Sequence, residues 1–86
     1  MKKIIFSLHA LNKIQILNKH QIFLDKSFIE NIISMPDRIE KGYKSRLIAQ
    51  GGLDDEHVLH VIYEESENEL KVITIYPGRR SRYEKD

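Results

Sequence analysis

His57-Val58-Leu59-His60-Val61-Ile62-Tyr63-Glu64, Glu65-Ser66-Glu67-Asn68 and Glu69-Leu70-Lys71-Val72-Ile73-Thr74-Ile75-Tyr76 follow one another in residues 57–76, and this stretch decides the fold. The outer two segments are rich in β-branched and aromatic residues, which suit a pleated, half-buried surface. The polar residues between them make a turn, and so short a link forces the two strands antiparallel. Val61-Ile62 and Ile73 to Ile75 are apolar on both faces of their strands, so both strands are expected inside a sheet. Pro77-Gly78 is expected to end it, because proline cannot donate to a ladder.

Upstream, Arg46 to Gln50 is a third strand, closed by Gly51-Gly52 and followed by a turn at Leu53 to Glu56. Residues 37–45 are charged and hold Gly42, which suits a loop or a ragged edge strand. Ser27-Phe28-Ile29-Glu30 reads as a capping box opening a helix whose apolar face is Phe28, Ile29, Ile32 and Ile33. Pro36 stops that helix near Ser34 or Met35, since the residue before proline avoids helical geometry. Ser7 is the expected N-cap of an earlier helix reaching about Lys19, with Ala10, Leu11, Ile14 and Leu17 on its apolar stripe. Lys2 to Phe6 can form a short first strand. The two helices are joined by a short link and read as a hairpin. The expected fold is α+β: an N-terminal helical hairpin packed on a three- to four-stranded antiparallel sheet, one domain over residues 1–86.

Hydrophobic residues make up 41% of the chain, which excludes a disordered polymer and points to a thin but real core. There is no cysteine, so disulfides and thiolate chemistry are excluded and a reducing compartment fits. No apolar run approaches the roughly 20 residues of a membrane span, and the expected location is the cytoplasm. The net charge of +1 hides a segregation that bears on partners. Residues 1–24 carry Lys2, Lys3, Lys13 and Lys19 and no acid; Arg38, Lys41, Lys44 and Arg46 form a second basic stretch, and Arg79, Arg80, Arg82 and Lys85 a third. Converged in space, the three would bind an anion; scattered, they only solubilise.

Phe6-Ser7-Leu8-His9-Ala10, the segment Asp25 to Pro36, and the closing run His57 to Tyr63 with Val72 to Tyr83 together resemble a small family of unknown function grouped with the RelE/ParE-type toxin superfamily. In that family a Ser-x-His-Ala motif opens the first helix, and a basic-aromatic tail follows the last strand. The resemblance implies the superfamily's helical hairpin on an antiparallel sheet. It also implies a toxin held inactive by a cognate antitoxin protein. Such toxins either cut mRNA, commonly on the ribosome, or inhibit DNA gyrase without cutting. No membrane association is implied.

Cleaving RNA without a metal needs a base for the 2′-hydroxyl, a cation for the phosphorane and an acid for the leaving oxygen. Arg79 and Arg80 suit the cation, because guanidinium matches phosphate in a bidentate way. Tyr83 suits base stacking or proton donation. Arg46, Lys44 and Arg82 are expected to bind the RNA backbone. His60 and His9 are the candidate bases. Each also has a structural reading, His60 as a core imidazole bonded at one nitrogen and His9 as a helix-start side chain bonded to a loop. His57 and His60, three apart on one strand, point to opposite faces and cannot chelate one metal together. No phosphate loop, nucleophile elbow or zinc spacing is present, and no cofactor or metal is expected. Joined to the substrate that the resemblance implies, these residues suggest a metal-independent mRNA endonuclease. A non-catalytic binder is the second reading, and a structural domain that only forms complexes, as a homodimer, is the third.

Overall fold

The computed structural model describes residues 2–80. The chain runs β1 (Lys3–Phe6), α1 (Leu8–Lys19), α2 (Lys26–Ser34), β2 (Arg38–Lys41), β3 (Arg46–Gly52), β4 (His57–Glu65) and β5 (Glu69–Arg79). The strands form one five-stranded sheet in the order β1-β5-β4-β3-β2. From β2 to β5 every neighbouring pair is antiparallel. β1 lies parallel to β5, with Lys3 opposite Glu69 and Phe6 opposite Val72. The sheet is therefore mixed and five-stranded, and the expected antiparallel sheet of three or four strands is corrected. A parallel pair needs a long connection, and here it runs through both helices and then β2, β3 and β4.

The helical hairpin is corrected as well. α1 packs on β5, whereas α2 packs on β3 and β4. Each helix spends its apolar stripe on the sheet: Ala10, Ile14 and Leu17 from α1, Ile29, Ile32 and Ile33 from α2. These join Ala49, Leu59, Val61, Tyr63, Val72 and Ile75 in one core. At Gly51 the backbone of β3 comes so close to α2 that an added Cβ would lie 2.7 Å from Ile32 Cγ1.

Local signals explain the helix ends. Ser7 caps α1, its Oγ accepting from Ala10 N at 3.0 Å and donating to the Ile73 carbonyl at 2.8 Å. The cap thus also ties α1 to β5. α1 closes with a Schellman turn: Ile22 N–H donates to the Leu17 carbonyl at 2.9 Å and Gln21 N–H to the Asn18 carbonyl at 3.1 Å. Gln21 takes the left-handed conformation at φ 66°. The N-cap of α2 is Asp25, whose Oδ1 accepts from Phe28 N at 2.9 Å, so the expected Ser27 cap is two residues late. Leu24 before the cap and Ile29 after it are both buried in the core. This apolar pair at N′ and N4 fixes the helix start; a cap at Ser27 would put Lys26 in the buried place.

β5 also departs from expectation, continuing through Pro77 and Gly78, which pair with Leu59 and Val58, as far as Arg79 opposite His57. β1 ends opposite Val72. Past that point no described strand flanks β5 on its β1 side, and an edge tolerates the missing proline N–H. A bulge between Ile62 and Tyr63 leaves Ile73 over in β5, so Val72 and Ile75 both reach the helix side. Residues 37–45 do contain an edge strand, β2, exposed throughout.

Candidate active site at the end of the sheet

The β3–β4 turn is organised by one carboxylate. Asp54 Oδ1 accepts from the backbone amides of Glu56 and His57, each at 2.8 Å. These two amides and the His57 ring hold the Asp54 carboxyl below its ordinary value of 3.8. The same carboxylate lies 2.9 Å (Oδ1) and 3.1 Å (Oδ2) from His57 Nδ1. A ring that donates from Nδ1 presents Nε2 as its acceptor when neutral. The His57 side chain is about one-third exposed.

Arg79 is the residue directly opposite His57 across the β4–β5 ladder. Directly opposed side chains share a face, with Cβ atoms about 4.5–5.5 Å apart. His57, its ring oriented by a carboxylate, and Arg79 therefore share one face at the sheet end. Arg80 fastens the same corner: its N–H donates to the Glu56 carbonyl at 2.9 Å and its Nε to the Asp54 carbonyl at 2.7 Å. Its guanidinium also passes over Gly52, where a Cβ would meet Nη2 at 2.8 Å. Asp55, Glu56, Arg79 and Arg80 line a recess of about 340 Å³. Two carboxylates and two guanidiniums line it, so its formal charges balance, and His57 is not among the lining residues.

His60 is elsewhere. With Gln50 and Tyr76 it forms a row across the sheet face away from the helices, opposed through the β3–β4 and β4–β5 ladders. It is 4% exposed and stacks on Tyr76, ring centroids 4.6 Å apart. Burial is the main cause lowering its pKa, opposed by a bond with the Tyr76 backbone and by Glu40. It is a core imidazole, on the opposite face from Arg79. His9 is exposed in the first turn of α1, and the Ser-x-His-Ala motif is explained without it: Ser7 caps the helix and Ala10 is fully buried.

Arg46 pairs with Glu64 at 3.0 Å on the exposed surface, and Lys44, at φ 59°, lies in the β2–β3 turn with Nζ 5.7 Å from the Tyr43 ring centroid. Both sit at the far end of β3 from Gly52, roughly 20 Å from the Asp54 turn at 3.3 Å per residue. Lys2, bonded to Glu65 at 2.6 Å, is at that far end too. Lys2, Lys44 and Arg46 thus lie at the opposite end of the sheet from Arg79 and Arg80. Arg82 and Tyr83 lie outside the described residues. Among the described residues no group of three or more His, Cys, Asp or Glu side chains is placed to hold a metal ion, and no helix is long and apolar enough to cross a membrane.

Sequence reasoning passed over His57 and Asp54. The available signal was their spacing, since Asp-x-x-His across a tight turn brings carboxylate and ring together, and the register then supplies Arg79.

No curated protein and no solved structure matches the chain. Residues 6–77 match the family described as a domain of unknown function, DUF4258. That match takes in both helices and all but the ends of the sheet, and the chain belongs to the DUF4258 family.

Proposed function

We propose that this protein is a toxin of a cytoplasmic toxin–antitoxin pair, of the RelE/ParE kind, and that it cleaves mRNA without a metal at the Asp54–His57–Arg79 corner. The observation that supports this most is the carboxylate-oriented His57 ring standing opposite Arg79. His57 Nε2 takes the proton of a ribose 2′-hydroxyl, and that oxygen attacks the adjacent phosphorus. Arg79 holds the phosphate oxygens as charge builds on them. The P–O5′ bond breaks, and the 5′-oxygen takes a proton from solvent. The products are a 2′,3′-cyclic phosphate and a 5′-hydroxyl. Asp54 holds the ring in place through its two contacts with Nδ1. A cognate antitoxin protein would hold the toxin inactive.

The test is digestion of RNA in EDTA, with and without ribosomes, by the wild type, His57→Gln and Arg79→Ala. The proposal expects cutting by the wild type and at least about a hundredfold loss in His57→Gln. Equal cutting by all three removes this corner from the mechanism. No cutting by the wild type in either setting removes the enzyme.

A second reading is a toxin-like binder that cuts nothing, such as a gyrase inhibitor. It is favoured by Asp55 and Glu56, which line the recess beside the arginines and oppose a polyanion. It predicts growth arrest with intact RNA and impaired supercoiling.

A further inference from the structure

β2 is a terminal strand of the sheet, and all of its residues, Arg38 to Lys41, are exposed. Its backbone bonding is half spent. Gly42 N–H donates to the Arg46 carbonyl at 2.8 Å, in line with a register that pairs Glu40 with Ile48 and Arg38 with Gln50. Backbone groups alternate in direction along an antiparallel ladder. Glu40 and Arg38 therefore turn their backbone groups to β3, and Ile39 and Lys41 turn theirs outward. Natural edges are commonly blunted by charge or shortness, and β2 has both. Its charges, however, are of two signs, and their order is self-complementary.

We propose that β2 is a homodimer edge, on which a second copy of this chain pairs antiparallel about a two-fold axis at Ile39. In that register Ile39 faces Ile39, Arg38 faces Glu40 of the other copy, and Asp37 faces its Lys41. Ile39 then exchanges both of its outward backbone bonds with its symmetry mate, and each Lys41 N–H meets the other copy's Asp37 carbonyl. The same axis carries Met35 of one copy toward Tyr43 of the other. Met35 is 84%, Ile39 52% and Tyr43 81% exposed, three large apolar side chains at intervals of four that this one operation covers. Any other register breaks at least one of these matches: centring the axis between Ile39 and Glu40, for example, sets Arg38 against Lys41. Isologous contacts of this kind close on themselves and leave no growing fibre. The pairing is short, so a concentration-dependent equilibrium is expected and not an obligate dimer.

The full chain has no cysteine, which makes a cross-link diagnostic. Hydrogen-bonded opposed residues have Cα atoms about 5.5 Å apart, within the roughly 4.4–6.8 Å that a disulfide spans. Under mild oxidation, Ile39→Cys is expected to give a covalent dimer, and Leu8→Cys, at an equally open site on α1 (Leu8 is 80% exposed), is not. Sedimentation equilibrium supplies the second arm. Lys41→Asp sets like charges opposite Asp37 and should weaken the dimer about tenfold or more. Asp37→Lys combined with Lys41→Asp reverses both signs and should restore it. Far-UV circular dichroism checks that each variant is folded. A wild type that stays monomeric through the high micromolar range overturns the proposal. So does cross-linking at equal rates from both cysteines, or a double variant no better than Lys41→Asp.

Discussion

Replacing Gly51 by alanine tests how α2 is seated. The new Cβ would stand 2.7 Å from Ile32 Cγ1 and 3.2 Å from both Cδ1 and Cγ2. Real carbon contacts begin near 3.5 Å, so the methyl must displace a helix already packed into the core. Ile32 is 6% exposed, so its side chain or the helix that carries it must shift to admit the methyl. Overpacking of this kind costs about 1–3 kcal/mol. In a domain of this size that is a fall in Tm of roughly 4–8 °C per kcal/mol. Ile32→Ala alone removes all three clashing atoms and costs roughly 2–5 kcal/mol through the cavity it leaves. In the double variant the alanine methyl enters that cavity, so the two costs should not add. Urea unfolding of the four proteins is expected to show a coupling of about 0.5–3 kcal/mol in the compensating direction. Additivity within error would mean that Ile32 does not lie over Gly51, and the placement of α2 would be wrong.

The two candidate caps of α2 can be told apart by mutation: Asp25→Ala should cost about 1 kcal/mol, and Ser27→Ala should cost much less, in chemical denaturation. His60 gives a pH signature. Its folded pKa lies below the unfolded value of 6.5 because burial disfavours the charged ring. The unfolded chain therefore binds the proton first as pH falls, so stability is full above 6.5 and declines as the pH drops from there toward the folded value. Urea midpoints of the wild type should fall across this window, and those of a folded His60→Gln variant should fall less. The Asp54 contribution acts lower, below its ordinary value of 3.8, and does not overlap. Ser7→Ala should cost more than an ordinary cap, about 1–3 kcal/mol, because it also strips a donor from the part-buried Ile73 carbonyl.

What the sequence reveals is whatever is encoded locally. Ser7 before an apolar stripe and Pro36 after another mark two helices, and the β-branched runs mark β3, β4 and β5. The opposed directions of His57 and His60 follow from strand period alone. The parallel seat of β1 is invisible for a physical reason: its partners lie 66 residues away, and no turn type dictates a pairing across two helices and three strands. The helices could have packed on each other; the seats of Ile32 at Gly51 and of Ser7 at Ile73 are tertiary matches that put them on different strands. Pro77 misleads because its cost depends on whether the strand has a neighbour on that side. The Asp25 cap was legible from the apolar pair Leu24 and Ile29, which outweighs the capping box at Ser27. The candidate site depends on register. Three arginines in sequence suggest one cationic patch, but strand alternation sends Arg79 to the face of His57, and Arg80 folds back over Gly52.

The central claim is that a ribose-phosphate group sits between His57 and Arg79. It is tested most directly by side-chain ¹H–¹⁵N spectra of the full chain titrated with a 2′-deoxy oligonucleotide, which keeps the phosphates and bases and lacks the attacking hydroxyl. The His57 ring nitrogens and Arg79 Nε are expected to shift together along one saturating curve, with His9 and the buried His60 unmoved. Saturable binding that leaves His57 and Arg79 where they were would contradict it.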